Sequence, residues 1–424
     1  MTSRTTGPIR TTGPDRDARG ESAFEPTADR PVPASVEEHI DHVRRLLDAL
    51  RTRPSDTVSV AEALGRIPTS DVASPVDLPL FRNSQMDGYA VRAVDVAAVP
   101  VSLRVAGTIA AGPSDTIVVE PGTAVKIMTG APVPEQADAI VPVENTVAEG
   151  DFVTISMSRA AGEYIREQGS DVTAGTVLVR SGQTLEPRHI AVLAAVGLSH
   201  IEVRSRPKVA VITTGAELVD AGSPLRPGQI FDSNGVTLAA HLRANGADVV
   251  AVHRSSDVPE DFRRILFLAT SKAELVITSG GVSMGDFEVV KDVLATLGGQ
   301  FGSVRMQPGG PQGTAVVDGV PVLSFPGNPV STVVSFLMFA RAVIRESAGL
   351  PPISVRSVPL AHSITSISGK RQLLRGKVEE DGVTLIAGPG SHLVAAMAWA
   401  DVLVDIPADT IELAAGTNVR VIPL

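Results

Sequence analysis

Cysteine is absent from this chain of 424 residues. Disulfides, thiolate nucleophiles, zinc ribbons and cysteine-held iron–sulfur clusters are therefore excluded. Aromatic residues make up 3%, so the core must be built mostly from Val, Leu, Ile and Ala. Long apolar runs are also missing, because Pro, Gly, Asn or a charge interrupts each candidate, and no membrane span is expected. The opening stretch "MTSRTTGPIRTTGPDRDARG" has no apolar h-region, so no signal peptide is expected. Positive charge is in deficit: the formal net charge is -10 and the pI is about 5.4. That argues against a nucleic acid or an anionic membrane surface as the main partner. An anionic ligand would need local help from Arg, Lys, backbone N–H groups or a metal. What remains, at 43% hydrophobic and 20% charged residues, is the composition of a soluble protein with a real core, expected in the cytoplasm. The length suggests about two to four domains.

Residues 1–33 are rich in Thr, Arg, Gly, Asp and Pro and are expected to be a disordered tail. In "SVEEHIDHVRRLLDALRT", Ser35 and Glu38 are spaced as a capping box. Ile40, Val43, Leu46, Leu47 and Leu50 then share one helical face. Residues 75–168 change to short alternating runs between Gly and Pro, the pattern of a small β domain. Helical character returns after it, which predicts a helical/mixed domain from 34–74 plus 169–205, with residues 169–203 packing on the first helix and the β domain inserted between the halves. From 206 to 349 strands alternate with helices: "KVAVITTG", "NGVTLAAHLRANG", "ADVVAVHR", "DVPEDFRRILFLATSK", "ELVITSGG". This predicts a three-layer α/β domain on a parallel sheet. "LPPI" reads as a linker, and 353–424 as a small C-terminal β domain.

Ligands of open α/β sheets sit beyond the carboxyl ends of the strands. Here "TTGAE", "SGGVSMGD" and "FPGNPVS" each follow a strand. Glycine lets backbone N–H groups approach a ligand, so several such loops at one edge suit phosphates or another oxyanion. Glu217, Asp257 and Glu288 also fall just past strand ends. Carboxylates beside a phosphate nest call for a cation, and Mg²⁺ takes one or two carboxylates plus phosphate oxygens. Asp257 equally reads as a helix N-cap, with Glu260 completing a capping box. The turn "MDGYA" reads by itself as structural, with Asp87–Gly88 a plain β-turn.

Together these stretches resemble the molybdopterin molybdotransferases, the MoeA and gephyrin E-domain family. The resemblance is carried by "PLFRNSQMDGYAV", "KIMTGAPVPEQADAIVPVE", "REQGSDVTAGT", "TTGAELV", "GQIFDSN", "SGGVSMGDFEVVK", "FPGNPVS", "GKRQLLRG" and "GPGSHL", in family order and over nearly the whole chain after the tail. It implies a transferase that inserts molybdate into adenylated molybdopterin, with Mg²⁺-dependent release of AMP. It further implies a homodimer of four-domain subunits, with the cleft between the α/β domain of one subunit and the inserted domain of the other. Upstream and downstream partners would be the molybdopterin adenylyltransferase and apo-molybdoenzymes. On this resemblance Asp87 and Thr129 act from the partner subunit. Asp87, Glu217, Asp257 and Glu288 would be the catalytic acids, Asp171 a further functional acid, and Glu217, Asp257 and Glu288 the Mg²⁺ ligands. Ser279, Gly280, Gly281, Gly327 and Asn328 would line the nucleotide pocket, and Ser331, Arg375 and Ser391 would stand near the molybdate.

The chain departs from the family where a "KPGKP" turn is common: "MQPGGPQG" puts Gln307 and Gly310 in place of the lysines. If this segment is a strand, Arg305 shares a face with Gln307 and supplies part of the missing charge. Ala216 stands where Asp is frequent, and Glu288 where Asp is usual. A second reading follows from these departures: a paralogue that binds the adenylated pterin or an oxyanion but inserts metal poorly.

Overall fold

The computed structural model describes residues 35–113, 117–282 and 288–424. The expected N-terminal tail and residues 283–287, which include the end of the "SGGVSMGD" loop, lie outside them. Among the described residues no helix is long and apolar enough to cross a membrane.

The first element among the described residues is helix α1 (Val36–Leu46), closed at its start by the Ser35–Glu38 capping box. Its apolar face does not pack on residues 169–205, as the sequence suggested. Val36, Val43 and Leu47 instead enter the largest core, with Phe336, Phe339 and Leu373. The reason is area: an amphipathic face gains most where most apolar surface can be covered. The segments behind α1 do meet the later half. Strand Ser55–Ser59 pairs with His200–Arg204, and Val72–Ala73 with Val177–Val179. Helix α2 (Pro187–Ala195) closes a small core there around Leu193 and Val203.

His39 of α1 is buried edge-on against Phe339, with ring centroids 4.5 Å apart. Burial, helped by the charge of His42, pushes its pKa down from 6.5 to about 3. The folded chain thus refuses a proton that the unfolded chain accepts. Stability present above pH 6.5 is lost as pH falls toward about 3, by about 1.4 kcal/mol per pH unit at most. We expect the melting temperature to fall less steeply between pH 7 and 4.5 in His39→Leu than in the parent. Equal slopes would refute this assignment.

The inserted region forms one sheet in the order Ala139–Pro142, Gly88–Val91, Thr123–Ile127, Val101–Ile109, Phe152–Ile155, Thr146–Glu149. Its pairs are antiparallel except for Val101–Ile109 with Thr123–Ile127. Two apolar clusters, one around Tyr89 and Val141 and one around Ile127 and Ile140, cover its faces.

The α/β sheet runs Asp248–Ser255, Lys208–Thr214, Leu275–Ser279, Val320–Phe325, Pro311–Val317, Gln300–Ser303. Its first four strands are parallel, and its last two pairings are antiparallel. The sheet is therefore mixed where the sequence suggested parallel strands throughout, because "TAVVDGVPVL" turns too tightly for a crossover and makes a hairpin. Helices α3 (Ser233–Ala244), α4 (Pro259–Thr270) and α5 (Val289–Ala295) cover it, with α6 (Pro329–Ser335) and α7 (Arg341–Ser347) joined through a π-helical turn at Phe336–Ala340.

The C-terminal sheet runs Met306–Gln307, Arg371–Glu379, Val402–Ile406, Asn418–Pro423, Arg356–Pro359. Its first strand belongs to the α/β segment. The turn that departs from the family pattern thus stitches two domains together.

Candidate functional site

The carboxyl ends of the four parallel strands converge on one edge. Thr214, Ser255, Ser279 and Phe325 end them, and the glycine loops follow. A cleft of about 440 Å³ opens there, lined by four carboxylates, Glu217, Asp232, Asp257 and Glu288, and by no Lys, Arg or His among the described residues. The structure thus brings together Glu217, Asp257, Glu288, Ser279, Gly280, Gly281, Gly327 and Asn328.

Each part has a local cause. Gly280 has φ +101°, and a Cβ on it would stand 2.7 Å from the Thr214 carbonyl oxygen. Only glycine lets the two loops lie so close. Asn234 ties the Ser279 end to the Gly327 loop: its Nδ2 donates to Ser279 Oγ at 3.0 Å and to the Gly327 carbonyl at 2.7 Å. Asp232 caps α3 through Gly235 N–H and accepts from Thr213 Oγ1 at 2.6 Å. The Glu217 carboxylate folds back over Gly215, 2.5 Å from where a Cβ would be.

Asp257 is not a helix cap. Pro259 takes the first position of α4, where its missing N–H costs nothing, so Val258 becomes the N-cap. Asp257 Oδ2 instead accepts from the Ala216 backbone N–H at 2.9 Å. The box with Glu260 does not form; Asp261 accepts from Ser256 N–H and Oγ. Asp257 therefore stitches two strand-end loops through Oδ2.

Among the described residues, no three His, Asp or Glu side chains stand close enough to cage a metal. Glu217, Asp257 and Glu288 are not a ready-made triad. The donor set still fits Mg²⁺, which binds through one or two carboxylates and completes its octahedron with phosphate oxygens and water.

A second cleft of about 420 Å³ adjoins the first, and Pro326, Gly327 and Asn328 line both. Gln307, Gly310, Ser331 and Ser391 line it, as do Lys370 and His392, and no carboxylate does among the described residues. Gln307 is held by Gln372, whose Nε2 donates to its Oε1 at 2.7 Å.

Arg375 is placed differently from the sequence expectation. It is 1% exposed, and its Nη2 donates to the Gly388 and Gly390 carbonyls at 2.5 and 3.3 Å. Its Nε has no partner among the described residues, and burial lowers its pKa. It supports the loop carrying Ser391 and His392 from beneath rather than lining the cleft. Arg305 is not brought to Gln307's cleft either; it lines another, beside Glu37, Arg371 and Asp405. The strand begins only at Met306, so its alternation does not extend back to Arg305.

Asp87 and Thr129 meet outside both clefts. Asp87 Oδ1 accepts from the Thr129 N–H at 2.7 Å and its hydroxyl at 2.8 Å, and these bonds hold the exposed carboxyl below the usual range. Asp171 is exposed on another turn, its N–H bonded to the Leu78 carbonyl. None of the three lines either cleft. Sequence reasoning did not single out Asn234, Lys370 or His392. Their signals lay inside "GQIFDSN", "GKRQLLRG" and "GPGSHL", but nothing local marks a residue whose partner is another loop.

Fold and clefts define a multidomain α/β protein with two adjoining clefts at one strand edge. Comparison with known proteins agrees. Residues 34–197 match the MoeA N-terminal region (domain I and II), residues 210–346 the probable molybdopterin binding domain, and residues 357–424 the MoeA C-terminal region (domain IV). Molybdopterin molybdenumtransferase 2 of Mycobacterium tuberculosis is 44% identical over 402 residues, covering 91% of this chain and 98% of that protein. Molybdopterin molybdenumtransferase 1 of the same organism is 35% identical over 420 residues, covering 91% and 98%. The crystal structure of the molybdopterin biosynthesis MoeA protein from Pyrococcus horikosii superposes with a TM-score of 0.69 at 31% identity, covering 90% of this chain and 98% of that one. This chain belongs to the molybdopterin molybdenumtransferase family.

Proposed function

We propose that this chain is a molybdopterin molybdenumtransferase, inserting molybdenum from molybdate into adenylated molybdopterin with release of AMP. The observation that carries the reading is the division of charge at one strand edge. Among the described residues, a cleft whose charged side chains are all carboxylates adjoins one that has no carboxylate, and Pro326, Gly327 and Asn328 belong to both. A substrate with a phosphate at one end and a metal-accepting dithiolene at the other fits two such compartments joined by a narrow wall.

In this reading Ser279, Gly280, Gly281, Gly327 and Asn328 hold the nucleotide end. Glu217, Asp257 and Glu288, one or two at a time, would hold Mg²⁺ against the phosphate oxygens. Mg²⁺ supplies neutralisation of the charge at the phosphate when bound. Ser331 and Ser391 offer hydroxyls to molybdate in the acid-free cleft, and Gln307 lines the same wall. Positioning and charge neutralisation then do most of what insertion needs. Asp87 and Thr129 are exposed, bonded to one another and outside both clefts of their own chain. A homodimer in which they complete the partner's site accounts for that placement, and Asp171 belongs to the same group of exposed acids.

The test is to give the purified chain adenylated molybdopterin, Mg²⁺ and a physiological molybdate concentration. Molybdate-dependent AMP release should be accompanied by cofactor that reconstitutes an apo-molybdoenzyme. Tight binding of the adenylated pterin with no turnover, even at high molybdate, would sink the reading.

A further inference from the structure

The acid-free cleft raises an electrostatic question. An oxyanion held there by serine hydroxyls and an amide alone would lack a counter-charge, and transferring an anion from water without one is costly. Arg375 lies beneath the loop but is 1% exposed and donates Nη2 to two carbonyls. Arg371 is engaged with Asp405 and Glu37. Arg305 lines a different cleft. Lys370 remains. It lines the acid-free cleft, is exposed, and makes no hydrogen bond or ion pair among the described residues.

We propose that Lys370 is the cation that binds the tetrahedral oxyanion in the acid-free cleft. The register shows how it gets there. Met306–Gln307 pairs in parallel with Arg371–Gln372, so Lys370 sits at the turn one residue before that pairing, beside the wall that Gln307 builds. A lysine on a flexible stem, with three donors, reaches an oxyanion from a turn without needing a rigid fork. His392 lines the same cleft and adds a ring nitrogen. Arg375 adds positive potential from below, since its partners among the described residues are the neutral Gly388 and Gly390 carbonyls. The inference rests on the reading that this cleft takes molybdate.

The cleft also offers a site for rescue. A Cβ at Gly310 would stand 3.4 Å from Ser303 Oγ and from the Val304 carbonyl oxygen, which is ordinary contact, and Gly310 lines the same cleft. The first carbon of a lysine side chain therefore fits there in ordinary contact.

The experiment measures molybdate dissociation constants by equilibrium dialysis of the full chain with molybdate alone, for the parent, Lys370→Ala, Lys370→Arg and Lys370→Ala with Gly310→Lys. AMP binding in the same cells reports on the acid cleft, and the half-saturating molybdate concentration for AMP release is read in parallel. Lys370→Ala should weaken molybdate about tenfold or more, the range for a hydrogen bond to a charged group. Lys370→Arg should stay near the parent, and Gly310→Lys should recover part of the loss. In turnover the change should fall on half-saturating molybdate more than on the rate at saturation. Unchanged molybdate binding in Lys370→Ala, with a working parent, would overturn the role of Lys370 alone. A loss in Lys370→Arg as deep as in Lys370→Ala, with no recovery by Gly310→Lys, would overturn it as a matter of charge. A parent that neither binds molybdate nor releases AMP would overturn the functional reading itself.

Discussion

Glu217→Gln should reduce molybdate-dependent AMP release by about a hundredfold or more, the scale of losing one preorganised electrostatic contact at a reacting group. The substitution keeps shape and removes one charge from a cleft of four carboxylates. Like charges gathered without a cation repel each other, so the ligand-free variant should be as stable as the parent or slightly more so. What should disappear is the rise in melting temperature that Mg²⁺ with AMP gives the parent by binding the folded state. Asp257→Asn should behave similarly in turnover. The double variant should lose less than the product of the two, because residues sharing one ion act as a unit. Mixing the Glu217→Gln and Asp87→Ala proteins under subunit exchange should restore activity if Asp87 serves the partner's cleft. Glu217→Gln turning over like the parent would show that the acid cleft does not hold the reacting phosphate.

The second large effect concerns "MDGYA". Gly88→Ala should destabilise the inserted domain by about 3 kcal/mol or more, the upper end of the range for overpacking. Gly88 is not the corner of a turn. It opens strand Gly88–Val91 in mid-sheet, paired with Ile127 on one side and Pro142 on the other. A Cβ there would lie 2.1 Å from the Val141 carbonyl oxygen and 3.0 Å from Pro142 Cα. Both are backbone atoms of the adjacent strand and cannot swing aside. Relief would break the ladder next to Asp87, whose carbonyl accepts from Val143 N–H at 3.0 Å. The Asp87–Thr129 pair, which flanks the ends of two strands of this sheet, should loosen with it. Denaturant unfolding followed by the Tyr89 environment would measure this. A loss under about 1 kcal/mol, the middle of the range for ordinary substitutions, would mean that the sheet yields and that this glycine has another purpose.

These cases show where sequence reasoning reached and where it stopped. The Ser35–Glu38 box and the apolar face of α1 were readable because their partners lie within a turn or two. The same face did not say what it would cover, and it covers the π-helical turn rather than residues 169–205. Asp257 illustrates the limit more sharply. Its position before an apolar run spells a cap, yet Pro259 moves the helix start by one residue and frees the carboxylate to bond Ala216. "MDGYA" looked like a turn because Asp-Gly usually is one; only the neighbouring strand explains the missing side chain.

The sequence by itself determined the periodicities, the glycine-rich strand ends and the ordered motifs that name the family, since these depend on neighbours along the chain. Tertiary structure decided how charge is sorted. It gathered four acids into one cleft, left the adjoining cleft free of them, buried Arg375 under a loop and brought Lys370 to the wall of Gln307. Charge sorting depends on which loops meet across a sheet edge and across the seam between two sheets. That is set by strand order and register, which no local pattern encodes.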